Sequence, residues 1–220
     1  GLMKTFGLGG ISGGSFNMDD EMAKLMSTTT LQDVVLKLGL NVAYYKPNAY
    51  KYKMYEDTPL LLTADSLTQK NLESPITFNV DIDKTGKVKV VAKNEDGKKH
   101  FEFNSLPAEI KMEEGSFFLS FRKEEIKPLS LKLEFSPSIW VAQDLSESLL
   151  FDEYSKNANV VEISCTDYEK KRGLDLLRTL VDVYNSQEDS IKKAEGEKSV
   201  QFLNGRLDAV VADLTDIEVK

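Results

Sequence analysis

Between residues 76 and 103 apolar side chains recur at alternate positions in three segments separated by turn sequences. Ile76, Phe78, Val80 and Ile82 alternate with polar residues. Val88 and Val90 resume the pattern after Asp83-Lys84-Thr85-Gly86, and Phe101 and Phe103 follow Asn94-Glu95-Asp96-Gly97. A period of two lines one face of an extended segment with apolar residues and leaves the other to water, whereas on a helix the same spacing would scatter them around the axis. Gly-containing turns this short leave no room for a crossover, so successive segments pair antiparallel. The reading is a three-stranded meander, and any fold open to this chain has to cover its apolar face.

The flanking segments supply that cover. Residues 3 to 8 read as a short strand and Gly9 to Ser15 as a loop. A helix begins near Asp19, with Met18, Met22, Leu25 and Met26 on one face and Asp19, Asp20 and Glu21 complementing its dipole. Thr29 or Thr30 is read as the cap of a second helix, which turns Leu31, Val34, Val35 and Leu38 inward and stops at Gly39. The tyrosine-rich stretch from Val42 to Tyr55, the run Pro59-Leu62, and the alternations Phe117–Phe121 and Leu129–Phe135 add strands. A helix is expected from Val141 to Tyr154, then a compact apolar strand through Val160, Val161, Ile163 and Cys165.

A last helical pattern starts near Tyr168 with Leu174, Leu177, Val181 and Tyr184. Val200, Leu203, Leu207, Val210, Leu214 and Ile217 then follow at spacings of 3, 4, 3, 4 and 3. This is a heptad seam, still running at Lys220, and it reads as the stump of a longer helix. Gly196 stands where the heptad register slips, so a stutter or break is expected there. The order of helices, strands and helices predicts an α+β fold, an antiparallel or mixed sheet packed against helices with an extended C-terminal helix. Residues 1–167 are read as the α+β domain. Residues 168–220 are read as C-terminal helices that pack on it and begin a coiled-coil-like extension.

Composition excludes whole classes of function. Lys and Arg number 28 against 36 Asp and Glu, a net charge of −8, which opposes a nucleic-acid backbone or an anionic membrane surface. One cysteine, Cys165, excludes an intrachain disulfide and a multi-thiolate metal site, and one histidine, His100, excludes a His-rich zinc site. No run reaches the roughly 18 apolar residues of a membrane helix. The uncharged stretch from Thr5 to Met18 lacks the apolar core of a signal peptide. No cofactor or metal is called for.

Short motifs add little. Gly10-Ile11-Ser12-Gly13-Gly14 spells G-x-S-x-G, but the helix that should follow Ser12 at once starts several residues later, and the sole downstream base is His100 in the meander. Gly7-Leu8-Gly9 has Ser12 where a dinucleotide fingerprint needs its third glycine, and no P-loop occurs. Asp81, Asp83 and Asp96 lie near turns without EF-hand spacing. Cys165, in the most apolar strand, reads as a buried inert thiol. Tyr44, Tyr45, Tyr50, Tyr52 and Trp140 are candidate glycan contacts, because aromatic faces stack on sugar rings; core or rim packing is the ordinary alternative.

Two blocks in fixed order carry a family resemblance. Asp20-Glu21-Met22-Ala23-Lys24-Leu25-Met26-Ser27, followed by Leu31-Gln32-Asp33-Val34-Val35-Leu36-Lys37-Leu38-Gly39-Leu40-Asn41-Val42, resembles the opening of the Wzz chain-length-determinant domain. Tyr44-Tyr45 is similar to the version found in capsular exopolysaccharide proteins that carry a cytoplasmic tyrosine kinase. Val161-Glu162-Ile163-Ser164-Cys165-Thr166-Asp167 and then Gly173 to Asn185 look like the family's strand, Ser-x-x-Asp and hydrophobic-helix block. Phe202-Leu203-Asn204-Gly205-Arg206-Leu207 resembles the start of its long helix. The middle of the chain matches in general character alone.

The resemblance implies the periplasmic domain of a bacterial inner-membrane polysaccharide co-polymerase, held between two membrane helices outside this sequence. It implies a homo-oligomer that works with the polysaccharide polymerase or export machinery and sets the length or export of capsule, exopolysaccharide or O-antigen. It implies no catalytic residue here, although the full-length protein can carry a tyrosine kinase. Leu203, Leu207, Val210 and Leu214 are then the candidate oligomer or helix-packing residues. The alternatives are a carbohydrate-binding module using the aromatic residues above and, third, a serine hydrolase using Ser12.

Overall fold

A computed structural model describes the backbone of residues 2–7, 17–46, 49–122, 128–155 and 158–218, and the side chains of 17–45, 53–122, 128–152 and 160–206. The chain opens with strand β1 (Leu2–Gly7) and helices α1 (Met18–Leu25) and α2 (Thr28–Leu38). A β-rich middle follows: β2 (Val42–Lys46), β3 (Ala49–Met54), β4 (Leu60–Ala64), helix α3 (Ser66–Asn71), β5 (Ile76–Ile82), β6 (Val88–Lys93), β7 (Lys98–Phe103), β8 (Ala108–Met112), β9 (Gly115–Phe121) and β10 (Leu129–Phe135). Helix α4 (Ser138–Ser148), β11 (Leu149–Ser155), β12 (Ala158–Cys165) and helix α5 (Lys170–Glu218) complete it. The fold class is α+β, as the order of elements predicts.

The middle is a two-layer sandwich. A six-stranded sheet of order β3-β2-β10-β5-β6-β7 faces a three-stranded sheet of order β4-β9-β8, and every pairing is antiparallel. The expected meander is β5-β6-β7, in the register Val80↔Val90 and Val90↔Phe101. Its inward residues meet the opposite sheet at an aromatic cluster. The Phe117 ring of β9 lies 5.2 Å from Phe78 of β5 and 5.2 Å, edge-on, from Phe135 of β10. All three rings are buried, each contributing about 1.5–3 kcal/mol by leaving water. A polar bond also joins the layers: the Leu62 amide of β4 donates to the Tyr44 hydroxyl of β2 at 3.0 Å.

Two elements of the sandwich have no forecast in the sequence pattern, β8 and α3. Helix α3 starts where the Asp65 carboxylate accepts from the amides of Leu67 and Thr68. The same carboxylate accepts from the Thr68 hydroxyl, which holds it at about 2, below the usual range. Gly115 comes against this turn with φ +141°, and a Cβ there would overlap the Thr68 side chain.

A second layer surrounds the points where the chain enters and leaves the sandwich. Ser27, rather than Thr29 or Thr30, caps α2 by accepting from the Thr30 amide at 3.2 Å. Thr30 is buried and donates its hydroxyl to the Lys24 carbonyl, so its side chain is already engaged. Leu31, Val34 and Val35 are buried, and α2 ends in Gly39 at φ +64°, the left-handed conformation a glycine adopts without strain. Asn41 then enters the sandwich beside the strand that leaves it: Val42 pairs with Phe135, and the Ser136 amide donates to the Asn41 carbonyl at 2.8 Å. Ser138, buried at the start of α4, accepts from Gln32 of α2 at 2.9 Å and donates to the Gln69 carbonyl of α3 at 3.2 Å.

The helix expected from Val141 to Tyr154 ends at Ser148, and Leu149 onward is strand β11. Pairing with β12 overrides local propensity there, burying Leu149 and leaving Leu150 out. Strand β12 is the centre of a sheet of order β1-β12-β11, so Leu2 lies opposite Cys165 where β12 passes toward α5.

Helix α5 runs 49 residues without interruption, so the expected break at Gly196 does not occur. A helical glycine costs about 1 kcal/mol relative to alanine, too little to break a helix of good formers. Contacts divide the chain after Leu180. In the first unit, Gly1–Leu180, the α5 residues Leu176, Leu177 and Leu180 are buried. The second unit, Val181–Lys220, is the remainder of α5; Val200 is 56% and Leu203 63% exposed. Leu207, Val210 and Leu214 continue the seam on this helix, and their side chains lie outside the described residues. Among the described residues no helix is long and apolar enough to cross a membrane.

Two substitutions check this account. Gly115→Ala is expected to destabilise the fold by about 1–3 kcal/mol in chemical denaturation, because a side chain is forced into a filled space at positive φ. Nothing lies within 4 Å of a Cβ placed at Gly196. Gly196→Ala should therefore raise far-UV helical signal and stabilise α5 by about 1 kcal/mol.

Candidate functional site

The sandwich and the second layer do not close completely on one another. A cleft of about 480 Å³ remains between them, within the first unit. Strand β2 and the end of α2 form its floor through Tyr44, Val42 and Leu38. The segment after β3 contributes Tyr55 and Glu56, α4 contributes Val141, Asp144 and Leu145, and the start of α5 contributes Lys171, Arg172 and Asp175. Each wall follows from a local rule. Gly39 reverses the chain so that β2 leaves α2 at a sharp angle. On α4, Val141, Asp144, Leu145 and Ser148 recur at helical spacing and so share a face.

The charges on the walls are largely settled among themselves. Lys171 pairs with Glu56 across the cleft, and the Arg172 Nε donates to Asp167 Oδ2 at 2.7 Å. The Tyr55 hydroxyl donates to Asp175 Oδ2 at 3.0 Å. Partial burial first, and then that bond to a carboxylate, pushes Tyr55 up to about 12. Arg122 is different. Its guanidinium carbon lies 6.0 Å from the centre of the Tyr44 ring, and none of its described contacts is with a carboxylate. Lys53 also lines the cleft with no carboxylate partner among the described residues.

A smaller cavity of about 80 Å³ adjoins this end, sharing Gly39, Val42, Tyr44 and Arg122 with the cleft. Asn41 lines it, and its buried side-chain Nδ2 has no partner. A buried amide donor left unpaired costs about 1–3 kcal/mol, so this donor is available to an incoming acceptor, water or ligand.

The structure scatters the aromatic candidates. Tyr44 is buried beneath the cleft with its hydroxyl occupied by Leu62, and burial raises its pKa. Tyr45 lies outside the cleft; its hydroxyl donates to Glu134 at 3.1 Å and Lys132 sits 5.1 Å over its ring. The side chains of Tyr50 and Tyr52 lie outside the described residues. Trp140 is 46% exposed on α4, one residue before the cleft-lining Val141. Tyr55, Arg122 and Asp144 are among the cleft residues that no sequence motif marks as candidates, because three separate elements bring them together.

The remaining candidates are structural or undescribed. Ser12 lies outside the described residues, and His100 is exposed on β7 opposite Val91. Cys165 is buried at the cleft wall, its thiol 3.8 Å from the Gly173 carbonyl, and burial raises its pKa. Asp83 is absorbed by its own turn, accepting from the Thr85 amide at 2.7 Å and hydroxyl at 2.6 Å. Among the described residues no group of three acidic, His or Cys side chains is placed to hold a metal ion.

The raised Tyr55 sets a pH dependence. A folded pKa of about 12 against an ordinary 10.0 means that this contribution to stability is complete below pH 10 and is lost as pH climbs toward 12. Tyr55→Phe should flatten that alkaline loss in melting experiments and remove one late-titrating phenol from the ultraviolet titration. Searches of known proteins leave the site to speak for itself: no family model matches the sequence, and no curated protein matches it significantly.

Proposed function

We propose that this chain is the periplasmic domain of a polysaccharide co-polymerase of the Wzz type, a non-enzymatic protein that sets polysaccharide length or export by self-assembly. Helix α5 carries the reading. It is unbroken over 49 residues, about 74 Å at 1.5 Å per residue, and its seam residues Val200 and Leu203 are exposed. An apolar heptad seam on an exposed helix is stabilised by a partner helix. In this reading Leu203, Leu207, Val210 and Leu214 are the assembly residues.

The two blocks that carry the family resemblance support it by their placement. Residues 20–40 of the first block and Val161–Asp167 of the second lie outside the sandwich, and the sandwich is inserted between them through the Asn41–Ser136 neck. A module joined at one neck can vary with little effect on the layer it leaves, which fits a likeness that is strongest in the flanks and reaches into the sandwich at Tyr44-Tyr45. Glycan binding is the second reading, and the cleft with its tyrosines favours it.

The reading carries an expectation for the parent gene, which should encode membrane-spanning segments ahead of Met3 and beyond Lys220. In cells, Leu203→Asp with Leu207→Asp in the full-length protein should abolish its cross-linked oligomers and shift the length distribution of surface polysaccharide on gels. Unchanged oligomers and an unchanged distribution would overturn the proposal.

A further inference from the structure

The cleft has a polar imbalance at one end. Glu56, Asp167 and Asp175 are each engaged by Lys171, Arg172 and Tyr55, respectively. Arg122 and Lys53 have no carboxylate among the described residues, and the Asn41 amide is buried without an acceptor. Arg122 lines both the cleft and the small cavity that holds Asn41, so the Asn41 amide belongs to a neighbouring cavity behind a wall that the two share. A carboxylate entering the cleft there would meet the planar fork of Arg122 N–H donors, the group best shaped for charge-assisted bonds to a carboxylate.

The rest of the cleft selects what that carboxylate is attached to. Tyr55 and Met54 offer apolar surface, and Asp144 on the α4 wall is an acceptor of the kind that sugar hydroxyls satisfy. The wall acids oppose a multiply charged anion such as a nucleotide, because the pairs with Lys171 and Arg172 already spend those cations. A volume of about 480 Å³ falls in the range of small-molecule sites and suits a short stretch of sugar rings.

We propose that this cleft binds an acidic saccharide of the uronate type, with Arg122 holding the carboxylate, Tyr55 packing on a ring and Asp144 accepting from its hydroxyls. The proposal deepens the polysaccharide reading above and rests on it for the choice of a sugar as the ligand. Because Lys171, Arg172 and Asp175 belong to α5, a saccharide in the cleft also touches the first turns of the helix that carries the assembly seam.

Calorimetric titration of the 220-residue chain with an oligogalacturonate tetramer tests the idea, with maltotetraose, sodium acetate and inorganic phosphate as comparison arms. The acidic tetramer should bind at least ten-fold more tightly than maltotetraose. Arg122→Gln should weaken it at least ten-fold, and Arg122→Lys should restore part of the loss. Arg122 is exposed, so these variants should melt like the parent chain. Binding that is absent, indifferent to Arg122→Gln, matched by maltotetraose, or reproduced by acetate or phosphate alone would overturn the proposal. Each of those results concerns the cleft and is independent of the oligomer and polysaccharide-length assays, so the two readings fail separately.

Discussion

The rest of the structure depends on one short pairing, where the chain enters the sandwich at Val42 alongside Phe135, the residue with which it leaves. The Ser136 amide closes this neck on the Asn41 carbonyl, and the Schellman-type turn at Gly39 aims the chain into it. From this point the β2–β10 ladder widens into the six-stranded sheet on one side. On the other side α2 and α4 pack together, with Ser138 joining them to α3. Two layers that meet along a narrow seam cannot fill the angle between them with backbone. The cleft is the volume left over.

The same geometry explains why polar groups collect there. Strand ends and helix starts converge at the seam, and they carry the turn and cap residues of their elements. Asp167 accepts from the Glu169 amide at 2.8 Å where α5 begins, while also pairing with Arg172. Lys171 and Asp175, one helical turn apart, both reach the segment after β3. The first turns of α5 are therefore fastened to the sandwich by side chains, whereas the buried contacts of Leu176, Leu177 and Leu180 are apolar.

Much of the fold was legible before any coordinates. The period-two runs at Ile76–Ile82 and Leu129–Phe135 became β5 and β10 with their alternating burial intact, and the turn residues Asp83 and Asn94 make the bonds that their types favour. The failures have local causes. The apolar residues of Leu149 to Tyr154 fit either period over so short a span, and only the ladder with β12 settles them as strand. Strand β8 carries one fully buried residue, Ile110, too few to show a period. Gly196 marks a stutter or break in the heptad pattern, yet a single glycine does not outweigh the helical preference of its neighbours.

The site divides along the same line. By itself the sequence determined the α+β class, the antiparallel pairing, the heptad seam and the absence of thiolate or histidine clusters, because these follow from periodicity, turn chemistry and counts, all of them local or additive. Tertiary structure alone decided that Tyr44 is a floor with its hydroxyl consumed by Leu62, and that Arg122, Tyr55 and Asp144 border one space. These residues lie far apart in the chain and share no pattern. They meet because antiparallel pairing returns β10 to β2, and α5 begins where β12 ends, so a pocket assembled from strand ends leaves no periodic trace in the residues that line it.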